Sequence, residues 1–96
     1  MNDKYDLSEF VGVPTRQSVL LALTQRVKAR RKERKISQKQ LAARSGVSYA
    51  SVRRFEAEGE ISLSSLMRIA QTLDCLEDFY ALFRTRLITD LKEFKR

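Results

Sequence analysis

The chain contains no histidine and a single cysteine, Cys75. The first absence removes the side chain that most often serves as general base or zinc ligand. The second excludes an intrachain disulfide and a cysteine-rich metal site. No cofactor and no metal are expected. Three glycines and one proline leave little material for hairpin turns, which points to an all-helical chain. No stretch approaches the roughly 18 apolar residues of a membrane span. The opening MNDKYDLSEF is acidic where a secretory leader would be basic. The expectation is therefore a cytoplasmic protein with no membrane partner. A phosphate-cradling glycine loop and a paired-carboxylate pocket are also missing, so no enzyme is expected. Its 96 residues suit one domain with a single core and short tails, which excludes a two-domain enzyme.

What the chain has in abundance is positive charge, +7 overall, and its distribution says more than its total. Residues 1–14 carry a net charge of −2, and residues 15–55 hold twelve Lys/Arg against Glu33 alone, a net +11. Residues 56–82 then fall to −5, and residues 83–96 return to +3. One pole is cationic and another anionic. A solvated basic face is the plain alternative to a nucleic-acid surface for any such run. Lys28, Arg30, Lys32, Arg34 and Lys35 are read mostly that way, adding only long-range attraction.

Caps and periodicity divide the chain. Thr15, after Pro14, opens a first helix to about Lys32 with apolar positions Val19, Leu20, Leu23 and Val27. Ser37 begins S-Q-K-Q, a capping box with Gln40, and a second helix follows over 38–45. Gly46 suits a left-handed stop, and Ser48 can cap a third helix over 49–58. Gly59 ends it, and Ser62 caps a fourth over 63–73 with Leu66, Ile69, Ala70 and Leu73 inward. Leu76, Phe79 and Phe83 mark a fifth. The expected layout is an arm over 1–14, a five-helix domain over 15–83 and a helical extension over 84–96. Leu87, Ile88, Leu91 and Phe94 keep helical spacing there, for packing on the domain or on a second copy. Tyr5, Leu7, Phe10 and Val11 can dock the arm. Cys75 reads as a small buried hydrophobe and Met67 as core or gap filler.

Within residues 37–56 the pattern sharpens. Leu41, Ala42, Val47, Val52 and Phe55 share one core and leave Tyr49, Ala50, Arg53 and Arg54 on an outer face. The bend at Ser45-Gly46-Val47-Ser48 is very short. This is the pattern of a DNA-binding helix-turn-helix.

The stretch RVKARRKERKISQKQLAARSGVSYASVRRFE, continued by SLSSLMRIAQTL, closely resembles the Cro/phage-repressor (XRE) family of helix-turn-helix proteins. The likeness covers roughly residues 20–83. EAEGEISL and CLEDFYALF look most like the HipB-like branch, often encoded beside a kinase toxin. The resemblance implies a phage-repressor-like domain in which Gln38, with Lys39 beside it, anchors to phosphate and braces the recognition helix. It also implies a structural ion pair between Arg31 and Glu56. Base reading falls on Ser48, Tyr49, Ala50 and Arg54, with Ser51 and Arg53 nearer the phosphates.

This chain departs from the family at the reading edge. Tyr49-Ala50 stands where relatives often place Gln, whose amide can pair with an adenine edge through two hydrogen bonds. Arg54 then becomes the best candidate for a guanine. Glu58 and Glu60 would repel phosphate, confining the contact to the start of the motif. One recognition helix touches few base pairs, so a homodimer on an inverted repeat with half-sites about 34–36 Å apart is expected. The leading function is a transcriptional repressor of its operator. The competing one is a HipB-like antitoxin that binds a HipA-like kinase toxin and autoregulates its operon.

Overall fold

Each helix begins on a hydroxyl. In the computed structural model, which describes residues 12–86, the order is α1 (Arg16–Glu33), α2 (Gln38–Ser45), α3 (Tyr49–Glu58) and α4 (Leu63–Thr72). A six-residue 3-10 segment, Leu76–Ala81, follows. Thr15 Oγ1 accepts the Ser18 amide at 3.0 Å while Ser18 Oγ accepts the Thr15 amide at 3.0 Å, a reciprocal box at the start of α1. Ser37 and Gln40 close the same box on α2, with Ser37 N–H donating to Gln40 Oε1 at 2.7 Å. Ser48 and Ser62 accept the amides of Ser51 and Ser65, each at 3.0 Å. Six backbone amides are thereby satisfied without burying a charge.

The stops are equally local. Gly46 and Gly59 both sit at φ 78°, and their amides return to Ala42 and Phe55. A methyl at Gly59 would lie 3.5 Å from Leu20 Cβ and 3.6 Å from Thr24 Cγ2, which is ordinary contact, so strain and not collision opposes a side chain there. Gly59→Ala should therefore lower stability by about 1–2 kcal/mol, the left-handed penalty. Urea unfolding checks this, with a lower midpoint and an unchanged slope.

Ile36, Leu41, Ala42, Val47, Val52, Ile69 and Leu73 form the buried centre. Val27, Ile61 and the partly buried Cys75 pack against it. Phe55 and Leu66 are also buried. The core thus lies mainly between α2, α3 and α4, and α1 lies against α3.

Several expectations need correction. Val19 is 51% exposed, because the inward line of α1 runs through Leu20, Thr24, Val27 and Arg31, of which Thr24 and Arg31 are buried. An apolar pattern passes over those two polar members, and Val19 sits about 100° around the helix from Leu20. Thr24 satisfies its hydroxyl by donating to the Leu21 carbonyl at 2.9 Å. The expected fifth helix is present over Leu76–Ala81, completing five helices in an all-helical fold among the described residues, but it is of 3-10 type and buries no residue. Only Phe79 is half-buried, in a small apolar groove with Leu23, Val27, Ile69 and Leu73. Phe83 is fully exposed at φ 61°, a conformation that ends helical continuation. Met67 is exposed on α4 and is not core filler. Residues 1–11 of the arm and the stripe Leu87, Ile88, Leu91 and Phe94 lie outside the described residues. Among the described residues no helix is long and apolar enough to cross a membrane, and no acidic, histidine or cysteine cluster could hold a metal ion.

Candidate nucleic-acid interface

Behind the α2–α3 hairpin lies one buried polar network. Arg31 reaches from the last turn of α1 to Glu56 near the end of α3. Its Nε donates to Oε2 at 2.7 Å and its Nη2 to Oε1 at 2.9 Å. Its Nη1 donates to the Ile36 carbonyl at 2.9 Å, which fixes the loop before α2. Gln38 adds a fourth bond, Nε2 to Glu56 Oε1 at 2.8 Å. The guanidinium and carboxylate are 10% and 2% exposed, so this is a buried bidentate pair whose geometry offsets its desolvation. Burial is the largest influence on the Glu56 carboxyl and pushes its pKa up. The hydrogen bonds from Arg31 and Gln38, with the charges of Arg31 and Lys28, together outweigh it, and the group ionises below the ordinary glutamate value. Three helices are locked at one carboxylate.

The opposite side of the hairpin carries the residues singled out for DNA. Val52, Phe55 and Glu56 turn inward on α3, which leaves Tyr49, Ala50, Arg53 and Arg54 exposed and Ser51 half-buried. Ser48 is exposed at the head of the helix, where its hydroxyl donates to Ser51 Oγ at 2.9 Å. That leaves the Ser51 hydroxyl hydrogen free for an acceptor outside the protein. Gln38 is half-buried: one amide hydrogen is spent on Glu56, and the second remains available. Lys39 and Arg53 both approach the Tyr49 ring, with Nζ and Cζ 5.5 Å from its centroid. Tyr49 therefore gathers two cations from two helices beside the turn. A shallow open groove of about 480 Å³ runs past Lys28, Gln38, Ala50, Arg53, Arg54 and Ala57, with Glu56 and Glu58 also in its lining.

Arg54, the candidate for a guanine, is held on the outer face by two carboxylates. Its Nη2 donates to Glu60 Oε1 at 2.8 Å and its Nε to Glu58 Oε1 at 3.4 Å. The i, i+4 spacing of Arg54 and Glu58 was the available signal for one of these bonds, as was the same spacing of Tyr49 and Arg53 for their contact. Glu60 lies beyond the helix and carries no such signal. Elsewhere in the basic pole, Arg30 and Arg34 pair at the surface with Glu33 and Asp74, each at 2.6 Å. Exposed pairs of this kind contribute little to stability but reduce the free positive charge on that side.

Comparison with known proteins agrees with this geometry. The helix-turn-helix family model matches residues 27–79, more than half of the chain and the segment from mid-α1 to the 3-10 segment. No curated protein and no solved structure matches the chain. The matched span includes the Arg31–Glu56 lock, the Gly46 turn and the exposed face of α3. The chain belongs to the helix-turn-helix family of Cro/phage-repressor (XRE) type, a DNA-binding regulatory domain.

Proposed function

We propose that this protein is a transcriptional repressor that binds operator DNA as a homodimer on an inverted repeat. The observation that carries the reading is the division of α2 and α3 into a locked inner side and an exposed outer side. The outer side gathers Lys39, Ser48, Tyr49, Ala50, Ser51, Arg53 and Arg54, and Gln38 stands at the boundary with one amide hydrogen in the lock and the other available. Gln38, Lys39, Ser51 and Arg53 take phosphate oxygens and set the register. Arg54 reads a guanine edge, while Tyr49, Ala50 and Ser48 face the neighbouring base pairs. Tyr49 has a double role, since its ring also holds Lys39 and Arg53 near the backbone. Repression follows from occupying promoter DNA.

The experiment is binding of the full chain to the duplex upstream of its own gene, against a scrambled duplex, at 50 and 200 mM salt. Lys39 and Arg53 from two copies give about four phosphate neutralisations, hence a slope near −3.6 in log K against log salt and a loss of about a hundredfold. Equal affinity for both duplexes would contradict the reading. Tyr49→Ala should weaken both specific and scrambled binding about two- to tenfold by freeing the two cations. Tyr49→Phe should restore it, because the ring and not the hydroxyl holds them.

A second reading, a HipB-like antitoxin that also binds a HipA-like kinase toxin, is supported by Tyr80, Leu82 and Phe83, large apolar side chains exposed close together in sequence. Copurification of the chain with the product of the neighbouring gene, and identification of that product as a kinase, tests this reading. Persistent failure to associate would remove it.

A further inference from the structure

We infer that Glu58 and Glu60 are specificity-determining residues, which hold Arg54 as a hydrogen-bond donor for a base edge while masking its charge from phosphate. The inference rests on the DNA-reading role proposed for Arg54. Its starting point is geometric: the guanidinium is fixed through Nε to Glu58 at 3.4 Å and through Nη2 to Glu60 at 2.8 Å. One anchor lies on α3 and the other beyond Gly59, so the two fix the direction of the side chain as well as its position.

Those two bonds use two of the five N–H groups of an arginine. Both hydrogens on Nη1 and one on Nη2 remain, enough for the two acceptors of a guanine edge. Arg54 can therefore donate to a base without leaving its glutamates. A phosphate meets a different object. The cluster of one guanidinium and two carboxylates has net charge −1, so a backbone oxygen that approaches it is repelled. A neutral base edge is attracted by the outward donors. The three side chains are more than half exposed, which places this choice at the surface where DNA would lie. Without the glutamates, Arg54 would be one more mobile cation able to settle on any phosphate.

The test replaces both carboxylates by amides, Glu58→Gln with Glu60→Gln, which keeps shape and acceptors and removes the charge. Binding of the full chain is measured against a duplex selected from a randomised pool and against the same duplex scrambled. Affinity for the scrambled duplex should rise and its salt slope steepen by about one per protomer. The ratio of specific to scrambled affinity should fall about three- to tenfold. In an Arg54→Ala background the same two substitutions should leave that ratio unchanged, because the glutamates act through Arg54. An unchanged or increased ratio in the otherwise native chain would overturn the inference, as would an equal fall of the ratio in the Arg54→Ala background. Failure of the native chain to prefer the selected duplex would instead overturn the DNA-reading role itself. An unaltered urea midpoint shows that the variants fold.

Discussion

Arg31→Ala should destabilise the domain by about 3–5 kcal/mol, the cost of leaving a buried carboxylate without its partner. That is a large share of the total stability of a domain of this size, and thermal unfolding should show a fall of more than about 10 °C. The loss is not of one contact. Arg31 also supplies the hydrogen bond to the Ile36 carbonyl, and Glu56 would keep only Gln38 as a direct partner. Acid titration separates this cause from a general loss of packing. In the native chain Glu56 ionises below the ordinary glutamate value. Its contribution to stability is thus complete above about pH 5 and is lost as pH falls through the depressed pKa of the folded state. In Arg31→Ala the burial that pushes the pKa up has lost its main opponent, so the Glu56 contribution should reverse and favour folding at lower pH. Glu56→Gln removes the titration altogether and gives the baseline for both. A parallel acid profile for Arg31→Ala and the native chain would show that the pair is not what couples folding to pH.

Arg54→Ala should lower discrimination between a selected operator and its scrambled counterpart by about 5- to 150-fold, the range of one bidentate guanine contact of about 1–3 kcal/mol. The loss should fall on the selected duplex and be confined to one position of each half-site, where any base then becomes acceptable. Gln38→Ala and Lys39→Ala should behave differently. In the proposed reading their DNA contacts are to phosphates and not to base edges, so affinity for both duplexes should fall together and the ratio should hold. Competition binding with single-base variants of the selected duplex measures the two patterns side by side. If Arg54→Ala weakened all duplexes alike, Arg54 would be a phosphate contact, and base reading would have to lie with Tyr49 and its neighbours.

The helices were legible in the sequence because their signals are local. Ser37 with Gln40, Ser48, Ser62, Gly46 and Gly59 act within one turn of their own positions, and the structure uses each as a cap or stop. Leu41, Val47, Val52 and Phe55 were legible as core because the short turn brings two apolar lines together. The inward line of α1 was harder to read, since Thr24 and Arg31 interrupt it with polar atoms whose partners are distant in the chain or in the backbone. The fifth helix is present but of a tighter kind, for a similar reason. Leu76, Phe79 and Phe83 keep a helical period, yet Asp74 and Phe83 adopt positive φ and leave room for only a 3-10 segment. At the candidate site, the residue types could be placed on the outer face from periodicity alone. Two of their contacts could not: Lys39 meets Tyr49 across the turn, and Glu60 reaches Arg54 from outside the helix. Such contacts depend on the path of the chain beyond the helix, which composition and period do not encode.

The central claim is that the outer face of α2 and α3 is where DNA binds. The most direct measurement is a titration of the isotope-labelled full chain with the selected duplex, followed by backbone amide chemical shifts. The largest changes should fall on Gln38, Lys39 and Ser48 through Arg54, with α4 and the segment Leu76–Ala81 little affected. Changes concentrated on α4 or on Leu76–Ala81, with Gln38 and the start of α3 unmoved, would contradict the account.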